Sequence, residues 1–287
     1  MNKFNKKGFT KRSNEPEKPG NQGKKNPKKR FSKPKPKEIQ RELEMPDTWP
    51  MRLNRFIARS GVCSRRDADN LIEKGLIKVN NKPITELGFK VNIQDVVTYN
   101  GKKILPEKPV YVLMNKPKDC ITTTRDESGR MTVLDLLKGS YSARLYPVGR
   151  LDRNTTGVLL LTNDGELSQK LTHPSFLVRK IYEVTLKEPV TDAQLDMLVK
   201  GVELEDGVSY ADTAAFPQPQ NKRVVGVEIH SGKNRIVRRL FEALGHKVVK
   251  LDRVMFGPFI KKGLDRGKFR DLKNSEIAQL HRAKNKL

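Results

Sequence analysis

Cysteine and histidine are scarce in this sequence of 287 residues, which contains two of the first and four of the second. Cys63 and Cys120 lie far apart and outside any CxxC spacing, so the sequence predicts neither a disulfide framework nor a zinc knuckle. Asp164, Glu166 and His173 are close in sequence, but no HExxH or comparable spacing accompanies them. Metal-dependent hydrolysis is therefore the weaker of the enzymatic interpretations, and we expect no metal.

Long hydrophobic runs are also missing. The longest one, Val158 to Leu161, is far too short to span a bilayer. The first residues, MNKFNKKGFTKRSN, contain no apolar core of the kind that a secretory signal needs. We therefore expect a soluble, cytoplasmic protein with no membrane partner, and the absence of a heptad pattern favours a monomer.

Acidic residues are few relative to basic ones. The chain has 33 Asp and Glu against 58 Lys and Arg, which gives a formal net charge of +25 and a pI of about 10.0. Such a surface attracts polyanions through counterion release, and nucleic acid is the leading candidate. A basic segment that serves only solubility or non-specific membrane contact is the alternative.

Much of this charge lies in residues 1–48, which are dominated by Lys, Asn, Pro and Gly. Their apolar surface is too small to offset the entropy of ordering a backbone, so we predict a disordered basic tail. Two roles stay open for it: solubility, or phosphate contacts that strengthen RNA binding without specifying sequence.

The segment 49–108 predicts a small domain of two helices and a sheet, followed by a linker in ILPEKP at 104–109. Leu53, Phe56 and Ile57 recur at helical spacing, and Ser64 is typical of the N-cap of a second helix that ends before Gly75. Arginines crowd around both helices and predict a surface for RNA phosphates. They are Arg52, Arg55, Arg59, Arg65 and Arg66.

This segment resembles the small RNA-binding domain shared with ribosomal protein S4. The matching positions are Arg52, Ala58, Gly61, Ser64, Arg65, Arg66, Ala68, Gly75, Val79, Asn80 and Gly88. The resemblance implies that the two helices bind RNA. The structural alternative is a solvated basic helix pair with no ligand.

The main domain, 109–280, mixes strands and helices without a regular repeat. Strand-like segments (VYVLMN, KIYEVTL, VVGVEIH, HKVVKL) alternate irregularly with helix-like ones (TVLDLLKG, ELSQKLTH, TDAQLDMLVKG, NRIVRRLFEALG). We therefore predict an α+β fold with a mostly antiparallel mixed sheet flanked by helices. A basic tail at 281–287 follows.

The most informative string is GRLDRNTTGVLLLTNDG, residues 149–165. It places Asp152 in a polar turn before an apolar strand, where an aspartate by itself is usually a hydrogen-bonding turn residue. The whole string resembles the catalytic-aspartate signature GRLDxxTxGLLLxTxDG of RNA pseudouridine synthases, with Val158 in place of the first leucine. The resemblance is nearest to the branch that modifies single uridines in ribosomal RNA.

Two more segments extend the resemblance, which covers about residues 51–280. Tyr182 in RKIYEVTL matches the active-site tyrosine, and Arg238 in HSGKNRIVRRLFEALG matches the basic residue that pairs with the aspartate. The structural alternatives are cross-strand packing for Tyr182 and solvated surface charge for Arg238. Ile236 departs from the Glu or Gln common in related sequences, and we interpret it as a packing position. Further RNA contacts are predicted at Arg150, Lys233 and Arg235.

The resemblance implies a cofactor-free isomerisation of uridine to pseudouridine in ribosomal RNA, most strongly the large-subunit 23S rRNA. Asp152 would act either as a nucleophile on the sugar or as the base that yields a glycal. Tyr182 would stack on a flipped-out base, and Arg238 would face the carboxylate. A non-catalytic RNA-binding or ribosome-assembly protein is the alternative, because a basic tail and helix pair serve that role as well.

Overall fold

The computed structural model describes the backbone of residues 49–286 and the side chains of residues 49–280. The predicted basic tail, 1–48, lies outside the described residues. The described residues all belong to one structural unit.

The N-terminal part contains two helices and six short strands, as the sequence predicts in outline. They are β1 (Met51–Arg52), α1 (Leu53–Arg59), α2 (Arg65–Glu73), β2 (Ile77–Val79), β3 (Lys82–Pro83), β4 (Lys90–Val91), β5 (Val97–Tyr99) and β6 (Lys102–Lys103). The Ser64 hydroxyl accepts the Asp67 N–H at 3.1 Å and the Asp67 carboxylate accepts the Ser64 N–H, which is a capping box. It fixes the start of α2 and so the position of the arginines on its first turn.

The remaining residues form a nine-stranded sheet with helices. The strands are β7 (Tyr111–Lys116), β8 (Tyr146–Pro147), β9 (Thr155–Thr162), β10 (Lys180–Leu186), β11 (Thr213–Ala215), β12 (Val224–Ile229), β13 (Val248–Phe256), β14 (Phe259–Ile260) and β15 (Phe269–Asp271). The helices are α3 (Gly165–Thr172), α4 (Asp192–Lys200), α5 (Ile236–Ala243) and α6 (Asn274–Lys286). The last turns of α6 lie in the segment 281–287.

The sheet has the strand order β11-β12-β10-β13-β9-β7-β15, with β14 beside β13 and β8 beside β9. Among these described strands β9 and β13 pair in parallel, and the other pairs are antiparallel. The predicted fold class is confirmed. The parallel pairing aligns Thr155 with Leu251 and Gly157 with Arg253, which brings the start of β9 beside the middle of β13.

Helices cover both faces of this sheet. Along β9, Leu159 and Leu161 pack into a core with α4 and α5, whereas Val158 and Leu160 pack into a second core with α3 and α6. All four side chains are fully buried, which is why this strand is a continuous apolar run rather than an alternating one. The turn that precedes it is therefore anchored to the centre of the domain.

One predicted helix, TVLDLLKG, is reduced to a single 3-10 turn at Asp135–Leu137. Its first residues are used by a β-type contact instead, because Ile121 donates to the Met131 carbonyl and Val133 donates to the Ile121 carbonyl. Too few residues remain for a regular helix. In the described part of the chain, no helix combines the length and apolar character that crossing a bilayer requires.

Candidate active site

Asp152 lies in the turn between β8 and β9. Its carbonyl accepts the Thr155 N–H at 3.0 Å, and its side chain is 35% exposed. The preceding residue, Leu151, is held by Thr122, whose hydroxyl donates to the Leu151 carbonyl at 2.9 Å. The backbone on the N-terminal side of Asp152 is thus tied to the neighbouring loop.

Lys116, at the end of β7, holds the other side of the same turn. Its fully buried ammonium group donates to the carbonyls of Pro117, Arg153 and Thr155 at 3.0, 3.2 and 3.0 Å. Burial lowers the pKa of Lys116 to about 8, although the charges of Cys120 and Asp152 oppose this shift. This role of Lys116 is not visible in the sequence, because NKPKDC has the composition of an ordinary strand end.

Arg238 lies on the first turn of α5 and faces Asp152. Its Nε is 3.9 Å from the Asp152 Oδ2, and its side chain is 10% exposed. Its Nη1 donates to the Val248 carbonyl at 3.2 Å, which fixes the guanidinium. Burial and the charge of Arg235 lower the pKa of Arg238, and Asp152 opposes them. This burial rules out the alternative that Arg238 is solvated surface charge.

Tyr182 lies on β10 between Val227 of β12 and Arg253 of β13. Its side chain is buried and belongs to the core cluster that includes α5. The residue nevertheless lines a cavity of about 320 Å³ that also contains Asp152. Tyr182 therefore combines a packing role with access to this cavity.

The cavity collects residues from distant parts of the sequence. It is lined by the turn before β9, the end of α3, the strands β10 and β13, and the loop before α5. Among the residues predicted from the sequence, those that line it are Arg150, Asp152, Tyr182, Lys233 and Arg235. Ile236 also lines it and is 5% exposed, in agreement with a packing position.

Two cations that were not predicted from the sequence also line this cavity: Arg253, which is buried, and Lys180, which is half-buried. Arg253 is 2% exposed, donates from Nε to the Val158 carbonyl at 2.8 Å, and keeps Nη2 without a partner among the described residues. The Lys180 ammonium donates to the carbonyls of Val178 and His230. Burial and the charge of Arg253 lower the pKa of Lys180 to about 8. The interior of the cavity is therefore cationic apart from Asp152.

The arginines and lysine predicted to contact RNA have different surroundings. Lys233 donates to the Ser209 hydroxyl at 3.0 Å and lies 3.7 Å from the Asp206 carboxylate, and Arg235 lies 3.7 Å from Glu242. Arg55 pairs with Glu166 of α3, and Arg59 is half-buried. The side chains that are exposed to solvent belong to Arg52, Arg65, Arg66, Arg150, Lys233 and Arg235.

The residues behind the metal interpretation have other partners. The Asp164 carboxylate caps α3 by accepting the N–H groups of Glu166 and Leu167, both at 3.1 Å. His173 forms a hydrogen bond with the Ser175 hydroxyl at 2.7 Å. Within the described residues, no group of three or more His, Cys, Asp or Glu side chains is arranged to hold a metal ion.

Comparison with known proteins finds two family models that match this chain. Residues 110–243 match the family model described as RNA pseudouridylate synthase, and residues 51–97 match the S4 domain. The chain is 42% identical to the ribosomal large subunit pseudouridine synthase B of Bacillus subtilis, with coverage of 80% of this chain and 95% of that protein. It is 39% identical to an uncharacterized RNA pseudouridine synthase of Aquifex aeolicus, with coverage of 81% and 94%.

A crystal structure of a pseudouridylate synthase superimposes with a TM-score of 0.58 at 30% sequence identity, and the match covers 80% of this chain and 99% of that one. Relatives of this similarity extend over both the helix pair and the main sheet. The chain belongs to the family of RNA pseudouridine synthases.

Proposed function

We propose that this protein converts uridine to pseudouridine in large-subunit ribosomal RNA, acting as a monomer, with Asp152 as the reacting carboxylate. The observation that carries the proposal is the pairing of Asp152 with the buried guanidinium of Arg238 at the edge of a cavity that Tyr182 lines. The name of the Bacillus subtilis relative supports the large subunit as the source of the substrate.

The reaction breaks the bond from C1′ of the ribose to N1 of uracil, rotates the free base and joins C1′ to C5. The proton on C5 leaves to solvent and N1 takes up a proton from solvent, so atoms and charge balance without a cofactor. An ionised Asp152 serves either as the nucleophile at C1′ or as the base at C2′. Arg238 compensates its negative charge at 3.9 Å, in a site where burial strengthens the attraction.

A uridine inside folded RNA must leave its stack before a side chain can reach its C1′. The cavity volume of about 320 Å³ falls at the lower end of the range of about 300–1,000 Å³ that is typical of ligand pockets. We assign the stacking surface to the Tyr182 ring, and we assign to its hydroxyl a part in removing the C5 proton. Lys180 and Arg253 supply donors for the uracil or ribose oxygens.

The S4-like helices and the cavity rim would hold the RNA around this nucleotide. We assign phosphate contacts to the residues that the sequence predicts to bind RNA. Their positive charge attracts the phosphate backbone whatever the base sequence. They are Arg52, Arg55, Arg59, Arg65, Arg66, Arg150, Lys233 and Arg235.

The proposal is tested by tritium release from a large-subunit rRNA transcript labelled at C5 of uridine, together with pseudouridine mapping in a strain that lacks the gene. We expect release to water by the wild-type protein and the loss of at least one pseudouridine from large-subunit rRNA. A loss confined to small-subunit rRNA would contradict the substrate. No release and no lost pseudouridine would contradict the reaction.

We expect Lys116→Met to lower kcat by about ten- to a hundredfold with little change in KM, because a loosened turn misplaces Asp152. Unpaired carbonyls at the former ammonium site should also cost about 1–3 kcal/mol of stability. Steady-state tritium release and thermal denaturation measure the two effects. Lys118→Met, which changes an exposed lysine two positions along, should leave kcat unchanged; equal kcat values for both variants would contradict the role of Lys116.

A further inference from the structure

A second cavity, of about 470 Å³, lies between the N-terminal helix pair and the main domain. One wall comes from α1 and the start of α2. The other comes from α3, the turn before it, and the segment that leads into β8. We call this cavity the interdomain crevice. Most of its lining residues are absent from the cavity that contains Asp152.

Arginine dominates the lining of the interdomain crevice. Four guanidinium groups face two carboxylates, those of Asp164 and Glu166. Both carboxylates are engaged, because Asp164 caps α3 and accepts the Tyr111 hydroxyl at 2.9 Å, and Glu166 pairs with Arg55. The arginines are Arg55, Arg59, Arg65 and Arg144. The crevice thus carries a net positive charge of about two.

Two of these arginines make no direct polar contact through their side chains. Arg65 and Arg144 are exposed, and neither forms a side-chain hydrogen bond or an ion pair with any residue of the described chain. Asp67, at the start of α2, accepts the Ser64 hydroxyl at 2.6 Å. This hydrogen bond lowers the pKa of Asp67, and the charge of Arg144 adds to that shift from a distance without an ion pair. Arg65 and Arg144 enter from opposite walls, so an anion between them would be held by both parts of the protein.

The interdomain crevice adjoins the cavity that contains Asp152. Thr172, at the end of α3, lines both of them. The two cavities therefore meet at the Thr172 side chain. A strand whose nucleotide occupies one cavity can therefore continue into the other.

We propose that the interdomain crevice binds backbone phosphates of the same RNA strand that places a uridine beside Asp152, with Arg65 and Arg144 as the principal contacts. This inference rests on the proposed function, because a flipped nucleotide defines where the strand must pass. A phosphodiester suits the site better than a free base, since guanidinium groups bind phosphate oxygens with directed, charge-assisted hydrogen bonds. Binding across both parts of the protein would also fix the RNA relative to the reacting carboxylate.

The test combines Arg65→Ala with Arg144→Ala and measures filter binding of a large-subunit rRNA transcript over a series of KCl concentrations. The slope of log affinity against log salt should decrease in magnitude by about 1.4, because each phosphate contact with a single strand contributes about 0.7. Affinity at physiological salt should fall about tenfold. KM for tritium release should rise in parallel, and kcat at saturating RNA should stay within twofold.

The matched control is Arg223→Ala, paired with Lys118→Ala so that the same charge is removed. Arg223 is exposed just before β12, at the end opposite to Ile229, which lines the Asp152 cavity. We expect a nearly unchanged salt slope and KM for this control. Equal slopes for the crevice variant and the wild type, or equal losses in both double variants, would overturn the proposal.

The outcome is separable from that of the proposed function. If the wild type binds the transcript but releases no tritium, the proposed reaction is contradicted. The salt slopes of the wild type and the crevice variant then still show whether the crevice binds phosphate. If the wild type releases tritium and the crevice variant keeps its salt slope and KM, the crevice proposal alone fails. Thermal denaturation of each variant is the control for folding. We expect an unchanged melting temperature, because the arginines that are removed are exposed and make no direct side-chain contact.

Discussion

Replacing Asp152 with asparagine should lower the rate of tritium release from uridine-labelled rRNA by at least about 10³-fold, which corresponds to about 4 kcal/mol of activation free energy. The amide has nearly the same shape as the carboxylate but is neither a nucleophile toward C1′ nor a base toward C2′. Arg238 would then face a neutral group. The loss should appear in kcat, with RNA affinity close to that of the wild type.

Asp119→Asn is the matched control for this substitution. Asp119 lies in a neighbouring loop, its side chain is 60% exposed, and it pairs with Arg153 at 3.2 Å. Its φ is +58°, in the left-handed region that asparagine tolerates well. We expect kcat within about twofold of the wild type, since an exposed ion pair contributes little. A rate above a tenth of the wild-type value for Asp152→Asn, with RNA binding intact, would remove Asp152 from its proposed role.

The elements that carry the candidate site could be predicted because each has a strong local signal. The apolar run of β9 marks a buried strand with a polar turn before it, and the spacing of Leu240 and Phe241 with Ile236 marks the buried face of α5. The contact between Asp152 and Arg238 has no such local signal. Nothing in periodicity brings two segments so distant in sequence together, and only the resemblance to the family led to that expectation.

Lys116 and Arg253 could not be predicted in the same way. Each side chain acts through backbone carbonyls of a strand that is remote in sequence: Lys116 through those of Arg153 and Thr155, and Arg253 through that of Val158. These contacts exist because β9 lies between β7 and β13. A sequence pattern records the type of each strand but not its neighbours, so buried lysine and arginine appear in it as ordinary surface charge.

The failure at TVLDLLKG has a related cause. Its apolar spacing fits a helix, but the backbone at Met131 and Val133 pairs with Ile121, and that pairing depends on a loop before it. The interdomain crevice is equally hidden from the sequence. Arg65 and Arg144 belong to different parts of the chain, and only the packing of α1 near α3, marked by the pair Arg55–Glu166, brings them to one space.

The parallel pairing of β9 with β13 depends on Gly157, and this leads to the largest expected effect on stability. Gly157 has a φ of +108°, and a Cβ built on it would lie 2.1 Å from the Arg253 carbonyl oxygen and 2.7 Å from the Arg253 nitrogen. These are backbone atoms of the adjacent strand. The steric overlap with an added Cβ can therefore be relieved only if the two strands separate. Separation would also disturb the hydrogen bond from Arg253 to Val158 and the turn that holds Asp152.

We therefore expect Gly157→Ala to lower the free energy of unfolding by at least about 4 kcal/mol, in the range that only severe local disruption produces. Gly129→Ala is the control, because Gly129 is also left-handed, with a φ of +65°, but a Cβ added to it would meet no atom within 4 Å. It should lose only about 1–2 kcal/mol from backbone strain. Chemical denaturation compares the two variants, and equal losses would mean that the strand contact at Gly157 relaxes without consequence for the sheet.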